Sequence, residues 1–327
     1  MQNTTLHGVI SASQYVIIMT FFAVAWTLVS FMGIISNVIN IKTFVAMGLN
    51  DGVTVSFLAL SVFDLTYVAS SFCQGISIAL STIELKTQTW FPVEPYGLMI
   101  LFANISILIN ITNVLTTTFL AVARCMCVAK PLHFKNAFTV KRTVYFMSGF
   151  AAFAVTVYIP VLANMGFVVT FNNRTRVSRP TLWMSPFRES IKDIALLLID
   201  AILPLATEVI VLICVVVMTS SLRAAAKFRE SSTDKVSGKD VRVVMQVTLI
   251  SLVYIICNTP KILISSSGLA MLEFRLGKRY NNVYVSLNSF RQLLEIVNAT
   301  INTFIYCKYN TKFRNSLCGT KKQMIIY

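Results

Sequence analysis

What most constrains this chain is the return, seven times between residues 15 and 306, of an apolar run long enough to cross a lipid bilayer. A hydrocarbon core of about 30 Å takes about 20 helical residues. The runs fall at about 15–47, 54–80, 96–129, 142–168, 193–222, 241–267 and 283–306. In lipid the backbone finds no water to bond, so each run is expected to be a helix. Composition agrees: 56% of the 327 residues are hydrophobic and 13% are charged, about half the charged share of a soluble protein. The expected fold is an all-α membrane protein, a seven-transmembrane helix bundle with a short amphipathic eighth helix at about 308–318. The chain then divides into an outer N-terminus (1–14), a seven-span body (15–306) and an inner tail (307–327).

Local chemistry separates the runs. Gly48-Leu49-Asn50-Asp51-Gly52 is a turn sequence, Pro131 follows the third run, and the Gly238 region precedes the sixth. Charge then sets the orientation. Seventeen of the 28 Lys and Arg residues fall on the side that carries the C-terminus and nine on the other, with Lys261 and Arg291 inside runs. Basic residues stay on the cytosolic side, so the N-terminus is expected to be extracellular, with the protein multi-pass in the plasma membrane. The sequons at Asn3 and Asn173 both fall outside on that topology and are candidate glycosylation sites. Those at Asn104, Asn110 and Asn298 lie within runs, beyond the reach of glycosylation. The first run is too long, and its start too poor in basic residues, for a cleaved leader.

Several function classes find no support. The net charge of +15 sits in loops between apolar runs, and no basic stretch is interleaved with exposed aromatics as nucleic-acid binding would require. None of Cys73, Cys125, Cys127, Cys214, Cys257, Cys307 and Cys318 falls in an outer loop, so no loop disulfide is expected. Two histidines and no C-x-x-C pair make a zinc site unexpected. No nucleophile elbow, metalloprotease motif or paired catalytic aspartate marks an enzyme, and no inverted repeat marks a transporter. A seven-helix ligand-gated channel of the gustatory type would place the N-terminus inside, against the charge pattern.

Specific residues carry a resemblance. Gly33-Ile34-Ile35-Ser36-Asn37 in the first run, Leu60-Ser61-Val62-Phe63-Asp64 in the second and Ala123-Arg124-Cys125 at the end of the third occur in register. Pro204, Cys257-Asn258-Thr259-Pro260 and Asn302-Thr303-Phe304-Ile305-Tyr306 follow in the later runs, with Phe313-Arg314 after them. The set resembles the rhodopsin-like (class A) G-protein-coupled receptors over nearly the whole chain. It departs from them at Ala123, Cys125, Asn258 and Thr303, at the fourth run (no tryptophan), and at Met99, where a cysteine would open the third helix. Val128-Ala129-Lys130-Pro131-Leu132-His133-Phe134-Lys135 is similar to the second inner loop of mollusc-type invertebrate chemosensory receptors.

The resemblance implies roles. Binding of an extracellular ligand would activate a heterotrimeric G protein, with the surrounding lipid as the other partner and no cofactor required. Asp64, with Asn37, Asn113, Asn298 and Asn302, would form a polar cluster, either a hydrogen-bond network between helices or a site for Na+. Arg124 would pair with Asp240 at rest, or else reach toward lipid headgroups. Pro260 and Pro204 would be bend points, and Tyr306 would swing during activation or simply pack. The position that holds an acid in amine receptors is Ser106, which argues against an amine ligand. Asp200, Lys261, Arg291 and Glu295 are charges within apolar runs, where charge defaults to function; Arg291 and Glu295 are also spaced to pair with each other. Together they suggest a small charged or zwitterionic ligand, an amino acid or short peptide, with internal salt bridges as the alternative. A neuropeptide receptor of the same fold is the neighbouring reading. Cys318 is a candidate palmitoylation site or a free thiol.

Overall fold

The computed structural model describes residues 9–129, 138–172, 177–230, 238–275 and 277–324. At 222–230, 238–244 and 320–324 the backbone alone is described. The chain is a multi-pass, predominantly helical membrane protein. Among the described residues, six helices are long and apolar enough to cross a membrane, over Ser13–Ala46, Gly52–Thr87, Pro95–Cys127, Val140–Ala163, Arg188–Ser221 and Met245–Ala270. The helices are α1 (Ala12–Ala46), α2 (Gly52–Thr87), α3 (Pro95–Ala129) and α4 (Val140–Ala163), followed by α5, α6 (Gly238–Ala270), α7 (Asn281–Tyr309) and α8 (Thr311–Met324). Helix α5 is continuous but has three pieces: α-helical Arg188–Leu196, π-helical Leu197–Ile202 and α-helical Leu203–Glu230.

Side-chain caps fix where several helices begin. Ser11 and Gln14 form a reciprocal capping box at α1, which satisfies amides that the first turn leaves free. Asp51 accepts from the Thr54 amide at 2.8 Å, and Asn310 accepts from the Phe313 amide at 3.0 Å to start α8. The turn before α2 uses Gly48 at φ +82°, a conformation that costs glycine nothing.

The bundle departs from the sequence-based expectation most at the end of the fourth run. The fourth run was expected to stay helical to about residue 168. Instead α4 stops at Ala163, and the chain enters an antiparallel hairpin of β1 (Met165–Asn172) and β2 (Val177–Met184). Its register pairs Met165 with Met184 and Asn172 with Val177. Valine, phenylalanine and threonine in β1 suit an extended chain, and Asn164 breaks the helix by donating its side-chain amide to Pro160 O at 2.8 Å. Helix α2 also runs to Thr87, well past the expected 80, and ends at Gln88 in the left-handed region.

Polar contacts fasten the hairpin to the α2–α3 loop. The Arg179 guanidinium pairs with Glu84 and lies 5.2 Å from the Trp90 ring centroid. Glu94 accepts from the Leu182 amide at 2.9 Å and donates its own amide to Pro180 O at 3.1 Å.

Helix α7 is less apolar than the other long helices, yet it packs against α1, α2 and α6. Small and polar residues make the α1–α7 seam, the usual way for membrane helices to approach closely. A Cβ on Gly33 would stand 2.6 Å from Thr300 Oγ1, so only glycine fits there. Asn37 Nδ2 donates to Gly33 O at 3.0 Å and to Ala299 O at 2.9 Å. Thr303 Oγ1 donates to Asn40 Oδ1 at 2.9 Å. Away from the seams, α1 turns Ile17, Phe21, Leu28 and Phe31 outward, a surface suited to lipid.

Candidate functional site

Pro204 has no N–H to give the carbonyl of Asp200 four residues earlier. The helix widens there into the π-helical turn Leu197–Ile202, a distortion frequent at functional positions. That turn carries Asp200. Its Oδ1 lies 3.0 Å from Lys261 Nζ on α6 and 3.8 Å from the Arg291 guanidinium on α7. Arg291 also approaches Glu295 Oε1 at 3.4 Å, and Tyr67 on α2 donates its hydroxyl to Glu295 Oε2 at 2.8 Å. Lys261 is only 2% exposed and Glu295 6%. Burying four charges is costly unless they are paired, and the web alternates in sign: Lys261, Asp200, Arg291, Glu295.

Beside the web lies a cavity of about 80 Å³, lined by Tyr67, Ala103, Ser106, Ile107, Asn110, Lys261, Arg291, Gln292 and Glu295. Of the five residues expected at a ligand site, Ser106, Lys261, Arg291 and Glu295 form its wall, and Asp200 holds two of them from behind. The internal salt bridges weighed as the alternative therefore coexist with an open space. Arg291 Nε and Ser106 Oγ are buried without a hydrogen-bond partner, as is Glu295 Oε1 apart from its ion pair. Tyr67, Asn110 and Gln292 were not anticipated, since a tyrosine or amide in a helix is ordinary. Glu208 was also missed. Its Oε1 accepts from Thr259 Oγ1 at 2.7 Å beside Pro260, and an acid four residues past Pro204 was a visible signal.

A second cavity, about 10 Å³, is lined by Tyr67, Asn110, Asn113, Val114, Thr117, Tyr254, Asn258, Glu295, Asn298 and Ala299. That is room for about one water. Asn113 Oδ1 and Asn258 Oδ1 are buried there without partners. The expected cluster around Asp64 is thus divided. Asn302 Nδ2 donates to Asp64 Oδ2 at 2.9 Å, while Asn37 gives its amide to backbone carbonyls of α1 and α7. Asn113 and Asn298 line the small cavity instead. Among the described residues no three His, Cys, Asp or Glu side chains converge as a metal site.

At the opposite end of the bundle from the hairpin, Tyr306 is fully buried. It packs among Phe44, Phe57 and Phe313, with ring centroids 5.1–5.5 Å away. Its hydroxyl has no hydrogen-bond partner. The Arg124 guanidinium lies 5.9 Å from the Phe57 centroid, and its Nε is likewise unpartnered. Asp240, the residue expected to pair with it, has its side chain outside the described residues, as are Asn3, Asn173 and the Pro131–Lys135 stretch. Cys318 is exposed on α8.

No model of a known protein family matches the chain, and no curated protein matches it either. Fold and site together define a multi-pass helical membrane protein with a cavity among its helices lined by charged side chains.

Proposed function

We propose that this protein is a seven-helix receptor of the rhodopsin-like kind, which binds a small charged extracellular ligand and activates a heterotrimeric G protein. The observation that carries the reading is the cavity walled by Ser106, Lys261, Arg291 and Glu295, with Asp200 bridging α5, α6 and α7 behind it. A ligand that enters it touches α3, α6 and α7 directly. It can therefore favour one arrangement of those helices over another, which is all that activation requires. On this reading α7 is the seventh span. Its low hydropathy is tolerable because Arg291 and Glu295 offset each other and face inward. The N-terminus lies outside the plasma membrane, Asn3 and Asn173 are glycosylated, and α8 rests on the inner leaflet with Cys318 placed for acylation.

The coupling end is the pair Arg124 and Tyr306, both of which lie against the Phe57 ring, with Asp240 as the resting partner of Arg124. Pro260 gives α6 its bend point. The protein performs no chemistry of its own; the reaction belongs to the G protein. A cavity of about 80 Å³ favours a small molecule over the neuropeptide alternative.

The test is G-protein activation in cells with the receptor verified at the surface, challenged with small amino acids, short peptides and water-borne odorants, beside the Arg124→Ala variant. A ligand response that vanishes in Arg124→Ala supports the receptor. A ligand-evoked current that survives without any G-protein signal supports a channel instead.

A further inference from the structure

The geometry points to a small zwitterion as the ligand: an α- or β-amino acid of roughly five to eight heavy atoms. This rests on reading the cavity as a receptor's ligand site, and three observations carry it. The first is charge balance. Lys261 and Arg291 are matched by Asp200 and Glu295 in one continuous web. A net anion or net cation placed against that web would leave one buried charge uncompensated, whereas a zwitterion adds none.

The second observation is which atoms are unused. Arg291 Nε and Ser106 Oγ are buried and partnerless, and both belong to residues that line the cavity. Both can donate to a carboxylate, the group that a guanidinium matches best. Glu295 Oε1 accepts no hydrogen bond and has only its 3.4 Å ion pair with Arg291, while Oε2 is held by the Tyr67 hydroxyl. Oε1 is the place for an ammonium group. Donors and acceptor thus share one small enclosure.

The third is size. At about 80 Å³, with roughly 10–15 Å³ needed per water-sized unit, the cavity takes about five to eight such units. Glycine, alanine, serine and β-alanine fit, with Ala103 and Ile107 as the apolar wall beside the ligand's carbon atoms. A tryptophan does not.

Calorimetry on the purified full-length chain in lipid nanodiscs tests this directly, with glycine, alanine and β-alanine against propionate, ethylamine and tryptophan. Saturable binding of the small amino acids is expected, with propionate and ethylamine weaker by about ten-fold or more, the usual loss when a charged hydrogen bond goes unmade, and tryptophan weaker because of its size. Glu295→Gln is expected to weaken alanine by at least that factor while leaving propionate unweakened. Ser106→Ala, a milder change, is expected to weaken alanine with an unchanged melting temperature, so a folding defect in Glu295→Gln cannot mask the result. Propionate or ethylamine binding as tightly as alanine overturns the zwitterion, and so does the absence of any amino-acid binding at millimolar concentration. The parent reading fails separately. Amino-acid binding without G-protein activation keeps the zwitterion site and removes the receptor. Activation by a ligand of another class, lost in Arg124→Ala, does the reverse.

Discussion

Lys261 Nζ stands 3.0 Å from Asp200 Oδ1, which ties α6 one residue past Pro260 to the π-helical turn of α5. The helices that carry Pro204 and Pro260 are therefore joined by an ion pair beside those prolines. Lys261 is nearly inaccessible, so removing Asp200 strands its ammonium, while removing Lys261 leaves Asp200 only the longer 3.8 Å contact with Arg291.

That arrangement predicts an asymmetry. Asp200→Asn or Lys261→Met alone is expected to cost about 3 kcal/mol of stability, the usual penalty for breaking a buried pair from one side. The double variant is expected to recover a large part of the loss. Thermal unfolding of the solubilised protein reads all three, and strictly additive losses would show that the pair is not coupled.

Tyr306 predicts a separation of stability from signalling. Its hydroxyl bonds to nothing in this arrangement, while its ring fills an aromatic box. Tyr306→Phe should leave the melting temperature unchanged, and Tyr306→Ala should cost about 3–5 kcal/mol. If the hydroxyl finds its partner only in the active form, Tyr306→Phe will still reduce G-protein activation. Equal activation by Tyr306→Phe and the parent would confine the residue to packing.

The hairpin depends on charges rather than on a covalent link, since the cysteines of this chain are unpaired. Glu84→Gln is expected to loosen β1 and β2, raising amide hydrogen exchange across 165–184 while the α1–α7 seam stays protected. Because the Glu84–Arg179 contact is electrostatic and near one end of the bundle, rising ionic strength should move the parent toward the variant. Identical exchange in the two proteins would place the anchoring elsewhere, at Glu94.

Sodium is expected to have no specific effect. Asn302 presents to Asp64 an amide nitrogen, a donor, and Asn37 is committed to backbone carbonyls. A sodium ion at Asp64 Oδ2 would have to displace the Asn302 amide. Melting curves in sodium chloride and choline chloride should superimpose, and a sodium-dependent rise that disappears in Asp64→Asn would reinstate the ion.

Much of this was legible because hydropathy and charge act over long windows. Runs of apolar residues specified where long helices lie, and Lys261, Arg291 and Glu295 announced themselves as charges where lipid or packed protein must surround them. The hairpin was illegible for a local reason. Met165–Phe171 continues the apolar run of α4 past the single polar residue Asn164, and Pro180 in the middle of β2 argues against a strand unless its position needs no donor. The π-helical turn was also hidden. Pro204 signals that a hydrogen bond is missing, but not whether the helix kinks or widens. Tyr67 and Gln292 became informative only through their neighbours: the Glu295 carboxylate for one, the Gln74 amide for the other.

Glu295, Tyr67 and Asn110 line both cavities, so the wall between the compartments is one layer of side chains thick. A carboxylate drawn toward one compartment leaves the other, and the two volumes change in opposite directions. The smaller holds about one water. Its gain or loss of that single molecule is then set by where a ligand on the far side of the partition leaves Glu295.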